Sequence, residues 1–130
     1  MIQRIQTLWW LSSVILLAAT LFLPIFEMES GSFIAKDFNP LLVVIGITIV
    51  GSVLNIFLFK QRSRQIRIGI ALMIAHFTIF SLVGARFHLE HGTQFLPWVA
   101  LPLISLVFQV LAIRSVRKDE ALIKSMDRLR

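Results

Sequence analysis

The three histidines are the side chains in this sequence most readily turned to chemistry. His76 sits in the middle of the apolar run "RIGIALMIAHFTIFSLVGAR", where an ionisable ring reads either as a proton relay or ligand contact, or as a neutral imidazole bonded to a nearby hydroxyl or carbonyl. The second reading is favoured, because no apolar run contains an Asp or Glu that would complete a relay. His88 and His91 flank Glu90 in "RFHLEHG", and with Glu27 or Asp37 they could meet a metal. Their spacing matches no established ligand pattern, so an ordinary polar loop is expected and no metal site. The chain has no cysteine, which removes disulfides, thiolate ligands, a thiol nucleophile and a palmitoyl anchor. It also has no G-x-S-x-G, phosphate loop, H-E-x-x-H or paired intramembrane carboxylates. The expectation is a protein that is not an enzyme and takes no cofactor.

Further polar groups that stand out within apolar runs are Ser12 and Ser13, Ser52 and Asn55, and Gln109. In lipid such groups need partners, so their depth matters. Four or five residues inward from one end of each run, Ser12, Ser13, Asn55 and Gln109 come to a common depth and are expected to form one polar layer of helix glue. His76 falls deeper, level with Gly51 and Ser52, and its ring is expected to bond across that interface. Small residues at Ala71, Ala75, Thr78 and Ala85, and at Gly46, Thr48, Gly51 and Ser52, are expected to let helices approach closely.

Positioning these groups requires helices long enough to carry them. The 130 residues suffice for one domain, and with 57% hydrophobic residues, 15% charged and a mean hydropathy of +0.83 the composition is that of an integral membrane protein. A span takes about 20 apolar residues at ~1.5 Å rise each. Four stretches qualify: Leu8–Phe26, Leu41–Phe59, Ile68–Ala85 and Phe95–Ile113. The first also resembles the core of a cleaved leader, but it is long and no A-x-A-like site follows, so a retained helix is expected. The predicted fold is all-α, a four-helix membrane bundle running up-down-up-down as a single domain over residues 1–130, with a tail from 114 to 130.

Lys and Arg resist translocation, so their distribution orients the bundle. Eleven of the thirteen lie on one side: Arg4, the loop set Lys60, Arg62, Arg64 and Arg67, and the tail set Arg114, Arg117, Lys118, Lys124, Arg128 and Arg130. The other side holds only Lys36 and Arg86, against Glu27, Glu29, Asp37 and Glu90. Both termini are therefore expected to be cytoplasmic, with the basic residues at lipid headgroups or at a partner. These charges lie between oily runs rather than on a soluble face, so no nucleic-acid partner is expected. Beyond Lys118 the fourth helix is expected to continue into the cytoplasm as an amphipathic extension, with Glu120 four residues before Lys124 and with Leu122, Met126 and Leu129 on one stripe; a solvated stop-transfer tail that binds nothing is the equal alternative. Trp9 and Trp10 are read as an inner aromatic belt and Trp98 as an outer one. Asn39-Pro40 reads as a helix cap followed by a first-turn proline, Pro102 as a kink in span four, and Ser30-Gly31-Ser32 as the turn of a small hairpin.

Three segments, "MIQRIQTLWWLSSVILL", "FKQRSRQIR" and "LPLISLVFQVLAIRSVRKDEALIKSMDRLR", resemble a family of small four-helix bacterial membrane proteins known only as a domain of unknown function. The resemblance covers nearly the whole chain and is weakest over Glu27–Asn39 and Arg86–Gln94. It implies a multi-pass protein of the bacterial inner membrane with no established activity, and it carries over no functional residue. The function expected is an accessory or scaffolding subunit of a larger inner-membrane complex, in contact with lipids and with other membrane subunits. The alternative is a small transporter or lipid-handling protein that uses His76 and the polar layer.

Overall fold

The computed structural model describes residues 2–91 and 93–128, with side chains from residue 5 onward. Its frame is four helices: α1 (Ile2–Thr20), α2 (Asn39–Phe57), α3 (Arg62–Leu89) and α4 (Ala100–Asp127). Each helix packs on the next and α4 closes the ring against α1, so neighbouring helices run antiparallel. A 3-10 turn over Leu58–Lys60 and the single residue Gln61 separate α2 from α3. The chain is an all-α four-helix bundle, as its hydropathy predicts.

Polarity in this bundle is inverted relative to a protein folded in water. Ile74 is 64% exposed while His76, two residues on, is fully buried. The same inversion holds on every helix: Ile15, Ile47 and Val107 face outward, and Ser13, Thr48 and Gln109 face inward. Asn39–Lys60, Arg62–Leu89 and Pro97–Asp127 are long and apolar enough to cross a membrane, and Ile5–Thr20 is a shorter apolar helix.

The first apolar run divides into two elements where a single span to Phe26 was expected. The helix stops at Thr20, whose hydroxyl turns back to the Leu16 carbonyl at 3.0 Å, and 3-10-type bonds from Leu21 and Phe22 tighten the end. Pro24 cannot continue a helix, and it opens strand β1 (Pro24–Met28). β1 pairs antiparallel with β2 (Gly31–Ile34) and, on its other edge, with β3 (Gln94–Phe95). The expected hairpin is present, with its turn at Glu29-Ser30, one residue earlier than predicted. Gly31 follows the turn with φ 136°, a conformation that favours glycine.

This sheet caps one end of the bundle, called here the sheet end. Phe26 stacks on Phe33 at 4.6 Å and meets Phe87 edge-on at 5.3 Å, while Phe87 stacks on Phe95 at 4.0 Å. Below the rings, Leu17, Leu41, Ile45, Ile79 and Val83 form an apolar core. Arg86 holds the cap from the side, with its guanidinium 4.7 Å from the Phe38 ring and 2.7 Å from Glu90. The opposite end, called the basic end, gathers the α2–α3 turn, the start of α1 and the far part of α4.

Three further expectations are corrected. Pro102 is the third residue of α4, which begins at Ala100 after a 3-10 turn over Pro97–Val99, so it sits where its missing N–H is not needed and no interior kink arises. Asn39 is already helical; Phe38 precedes the helix without a side-chain cap, and Pro40 occupies the first turn as expected. Trp10 is not an interfacial residue: it is fully buried with Leu72, Ala112 and Ile113, whereas Trp9 is half-buried on Phe108 and Trp98 is exposed.

Candidate functional site

The buried polar side chains form a column through the bundle core, running from the basic end to about mid-height. At its upper end is His76. A carbonyl can only accept, so Nδ1, 3.0 Å from the Leu72 oxygen, carries a proton. Nε2 lies 3.1 Å from the Ser105 hydroxyl on α4, and that oxygen is 2.8 Å from Ser13 Oγ and 2.9 Å from the Ser13 carbonyl. With a neutral ring, Ser105 donates to Nε2 and Ser13 donates to Ser105. α1, α3 and α4 are thus tied at one level. The expected bond from His76 toward Gly51 and Ser52 is not made. Gly51 instead receives Leu72, whose Cδ2 lies 2.7 Å from where a Cβ on Gly51 would stand. Glycine offers the ring no partner, and the available hydroxyl comes from α4.

Two turns toward the basic end, Gln109 donates from Nε2 to the Gly69 carbonyl at 3.0 Å. Gly69 makes this approach possible, since a Cβ there would stand 2.9 Å from Ile113 and 3.1 Å from Trp10. Closer to that end, Asn55 and Gln65 exchange bonds, each amide donating to the other's backbone carbonyl at 3.1 Å. Gln6 donates to Asp119, joining α1 to α4. The single layer expected from Ser12, Ser13, Asn55 and Gln109 is therefore three levels. Ser12 is half-buried, because the turn of α1 gives the inward position to Ser13.

Once the amide protons are assigned, several buried atoms have no partner: Asn55 Oδ1, Gln65 Oε1, Gln109 Oε1, Asp119 Oδ1, Trp10 Nε1 and Ser52 Oγ. These six lie on the basic-end side of His76, whereas Arg86 Nε, also buried without a partner, lies at the sheet end; groups of this kind are ordinarily met by internal water. Thr20 and Thr48, nearer the sheet end, satisfy themselves on their own helices through the Leu16 and Val44 carbonyls at 3.0 and 2.7 Å.

Sequence reasoning missed Ser105, Gln6, Gln65 and Asp119. Ser105 was signalled by its position one turn before Gln109, on the same face. Asp119 reads as one more solvated charge in "RKDE". It is 6% exposed because α4 continues straight, bringing Asp119 onto the inward stripe of Ala112 and Val116.

The cations at the basic end line a surface depression. Lys60, Arg64 and Arg67 are exposed and Arg62 half-buried, around a hollow of about 510 Å³ closed on its far side by Glu120 and Lys124. Ser63 donates to Glu120 at 2.9 Å, and Lys124 pairs with the same carboxylate at 3.1 Å, as the spacing predicts. The Ser63 hydroxyl, and after it Lys124, hold the Glu120 carboxyl below its usual range. Arg114, Arg117 and Lys118 are exposed on α4 outside this hollow. Leu122 and Met126 are exposed on the extension, and Leu129 lies outside the described residues.

At the sheet end, the candidate metal cluster is differently engaged. Glu90 pairs with Arg86, Glu27 accepts from Gln94 at 2.8 Å, and His88 and His91 are exposed. Among the described residues no three His, Cys, Asp or Glu side chains gather as metal ligands.

These features define a class: a small four-helix bundle with an apolar perimeter, a polar inner column and a sheet cap. Within it, residues 2–129 match the model of a domain of unknown function, DUF4293, and the chain belongs to that family. No curated protein and no solved structure matches the chain.

Proposed function

We propose that this is a multi-pass protein of the bacterial inner membrane with both termini cytoplasmic, and that it serves as a non-enzymatic accessory or scaffolding subunit of a larger membrane complex. The membrane reading is supported by the inverted polarity, since exposed Ile, Leu, Val and Phe side chains around the perimeter suit lipid and would cost ~25 cal/mol per Å² in water. The orientation is supported by the Lys and Arg excess at the basic end.

The observation that carries the subunit role is the course of α4. It passes Arg114, Arg117 and Lys118 without a break and reaches Asp127, presenting Leu122 and Met126 one turn apart at 46% and 60% exposure. An apolar pair at i and i+4 on a charged helix is the form in which a helix docks into a partner's groove. In the column, by contrast, His76, Ser105 and Ser13 and the amides of Asn55, Gln65 and Gln109 tie helix to helix. A photo-crosslinker at Met126 in native membranes is expected to capture one defined protein, and one at Phe22, on the opposite end, to miss it. Capture of lipid alone from Met126 would refute the subunit role. The native chain lacks cysteine, so single cysteines at Ser32 and Ser63 test the orientation, with Ser32 expected to label from the periplasm and Ser63 from the cytoplasm.

The second reading, transport or lipid handling through the column, is favoured by the unpartnered oxygens of Asn55, Gln65, Gln109 and Asp119. It requires water to enter from the basic end. Water-accessibility labelling of a cysteine at Gln109 but not at Ile79 would support it.

A further inference from the structure

We propose that the basic end holds one anionic phospholipid, its phosphate between Arg64 and Arg67 and an acyl chain along the outer flank of α3 past Ile68 and Ala71. The proposal rests on the membrane reading above. Two depressions meet here. The 510 Å³ hollow between α3 and the α4 extension contains Arg64 and Arg67, and a second of about 310 Å³ is lined by Arg64, Arg67, Ile68 and Ala71. The two arginines are the shared wall. Residues 64, 67, 68 and 71 fall on one face of a helix, so a ligand leaving the cations toward mid-membrane runs along this lane.

The charges in the hollow are open to an anion. Arg64 commits one nitrogen to Gln61 at 2.8 Å, and Arg67 commits Nε to the Ser63 carbonyl at 3.4 Å. Among the described residues the ion pairs are Arg86–Glu90 and Lys124–Glu120, so neither arginine has a carboxylate partner. Two acids line the hollow against five cations: Glu120, which already accepts from Ser63 and Lys124, and Asp127, exposed at the end of α4. Arginine forks fit phosphate oxygens in pairs, and Lys60 and Arg62 add charge at the rim. The lane is apolar: Ile68 is 37% exposed, Ala71 is exposed, and Thr78, further along, turns its hydroxyl back to the Ile74 carbonyl at 3.2 Å. Phosphate and chain together describe a lipid better than either does alone.

The test uses the full chain, purified in a neutral detergent and titrated with phosphatidylglycerol in mixed micelles, with bound lipid counted by native mass spectrometry. One phosphatidylglycerol per chain is expected to be retained over phosphatidylcholine. Arg64→Gln with Arg67→Gln is expected to weaken retention about thirtyfold, at roughly fivefold per cation. Ala71→Trp, which fills the lane and spares both cations, is expected to weaken it about tenfold. Arg114→Gln with Arg117→Gln removes equal charge from the same end outside both depressions and is expected to change nothing. Equal retention of phosphatidylcholine, no effect of the Arg64/Arg67 pair, or an equal loss from the Arg114/Arg117 pair would each overturn the site. Displacement by millimolar inorganic phosphate would assign it to a soluble anion and overturn the lipid. Circular dichroism checks that each variant folds. Cysteine labelling at Ser32 and Ser63 reads the membrane orientation separately, so loss of one result leaves the other standing.

Discussion

Replacing Ser105 with alanine is expected to destabilise the bundle more than replacing either of its partners. The Ser105 hydroxyl stands between Ser13 Oγ at 2.8 Å and His76 Nε2 at 3.1 Å, all three residues fully buried. Removing it deletes two inter-helix bonds, which in membrane proteins average ~0.6 kcal/mol each. It also leaves Nε2 without a donor, and an orphaned buried acceptor costs about 1–3 kcal/mol. The expected total is about 2–4 kcal/mol. Ser13→Ala removes one incoming bond and orphans no nitrogen, so it should cost under ~1 kcal/mol. His76→Leu removes the acceptor itself and frees Ser105 to donate to the Ser13 carbonyl, 2.9 Å away. In that background Ser105→Ala removes only its two bonds to Ser13 and should cost ~1.2 kcal/mol, a coupling energy of about 1–3 kcal/mol between the two positions. Dodecyl sulfate unfolding in mixed micelles, followed by far-ultraviolet circular dichroism, measures all four corners of this cycle. Additivity within ~0.3 kcal/mol, or a Ser105→Ala cost no larger than that of Ser13→Ala, would refute the bond chain.

Three further outcomes follow from the geometry. Gly69→Ala should cost about 1–3 kcal/mol by overpacking against Ile113 and Trp10, Gly51→Ala should cost less because the flexible end of Leu72 can move aside, and Gly46→Ala, with open space around it, should cost nothing; the same unfolding assay ranks them, and a reversed order refutes the packing. The depressed Glu120 carboxyl contributes stability above its ordinary value of 4.5 and loses that contribution as pH falls through its lowered folded value. Spin labels at Gln61 and Met126 should therefore move apart on acidification from about pH 6 to about pH 3, a change that Glu120→Gln abolishes; a constant distance refutes the link. Arg86→Lys should lose about 1 kcal/mol at the sheet cap, because an ammonium cannot lie flat over Phe38 while pairing with Glu90; equal stability of the two would refute the stacking role.

Why some of this was legible in the sequence, and some not, follows from the solvent. The four helices, the hairpin and the inward placement of Ser13, Ser52, Asn55, His76 and Gln109 could be read because a polar group in an oily run has few places to go. Which helix each would meet could not be read. In a chain that is apolar on every side, hydrophobic period no longer marks the buried face, so Ala71 and Thr78 were expected at a helix interface and lie on the outside, while Gly69 makes the close approach. The run Leu8–Phe26 concealed a boundary for the same reason, since hydropathy is uniform across Thr20 and only Pro24 signals that a strand begins. Trp10 and Asp119 were misplaced by rules that sort residues by type, aromatic to the interface and charge to the water, where a neighbouring glycine and a straight helix took precedence.

The core is divided lengthwise, and this division constrains any role for the column. Toward the basic end it is amide, hydroxyl and carboxylate, with oxygens still lacking donors; toward the sheet end it is Leu17, Ile45, Ile79 and Val83 beneath a layer of stacked phenylalanines. A polar solute ascending from Asp119 through Gln109 to His76 would next meet, among the buried polar groups of the described residues, Thr20 and Thr48, whose hydroxyls are committed to their own helices, and then the Arg86 Nε at the cap itself. Each unmet polar group in such surroundings costs several kcal/mol, so passage would require the sheet cap to part. The cap is held by strand pairing on both edges of β1, by ring stacking and by Arg86. The column is thus open to polar groups from the basic end as far as His76 and closed above it by an apolar layer and a paired, stacked cap.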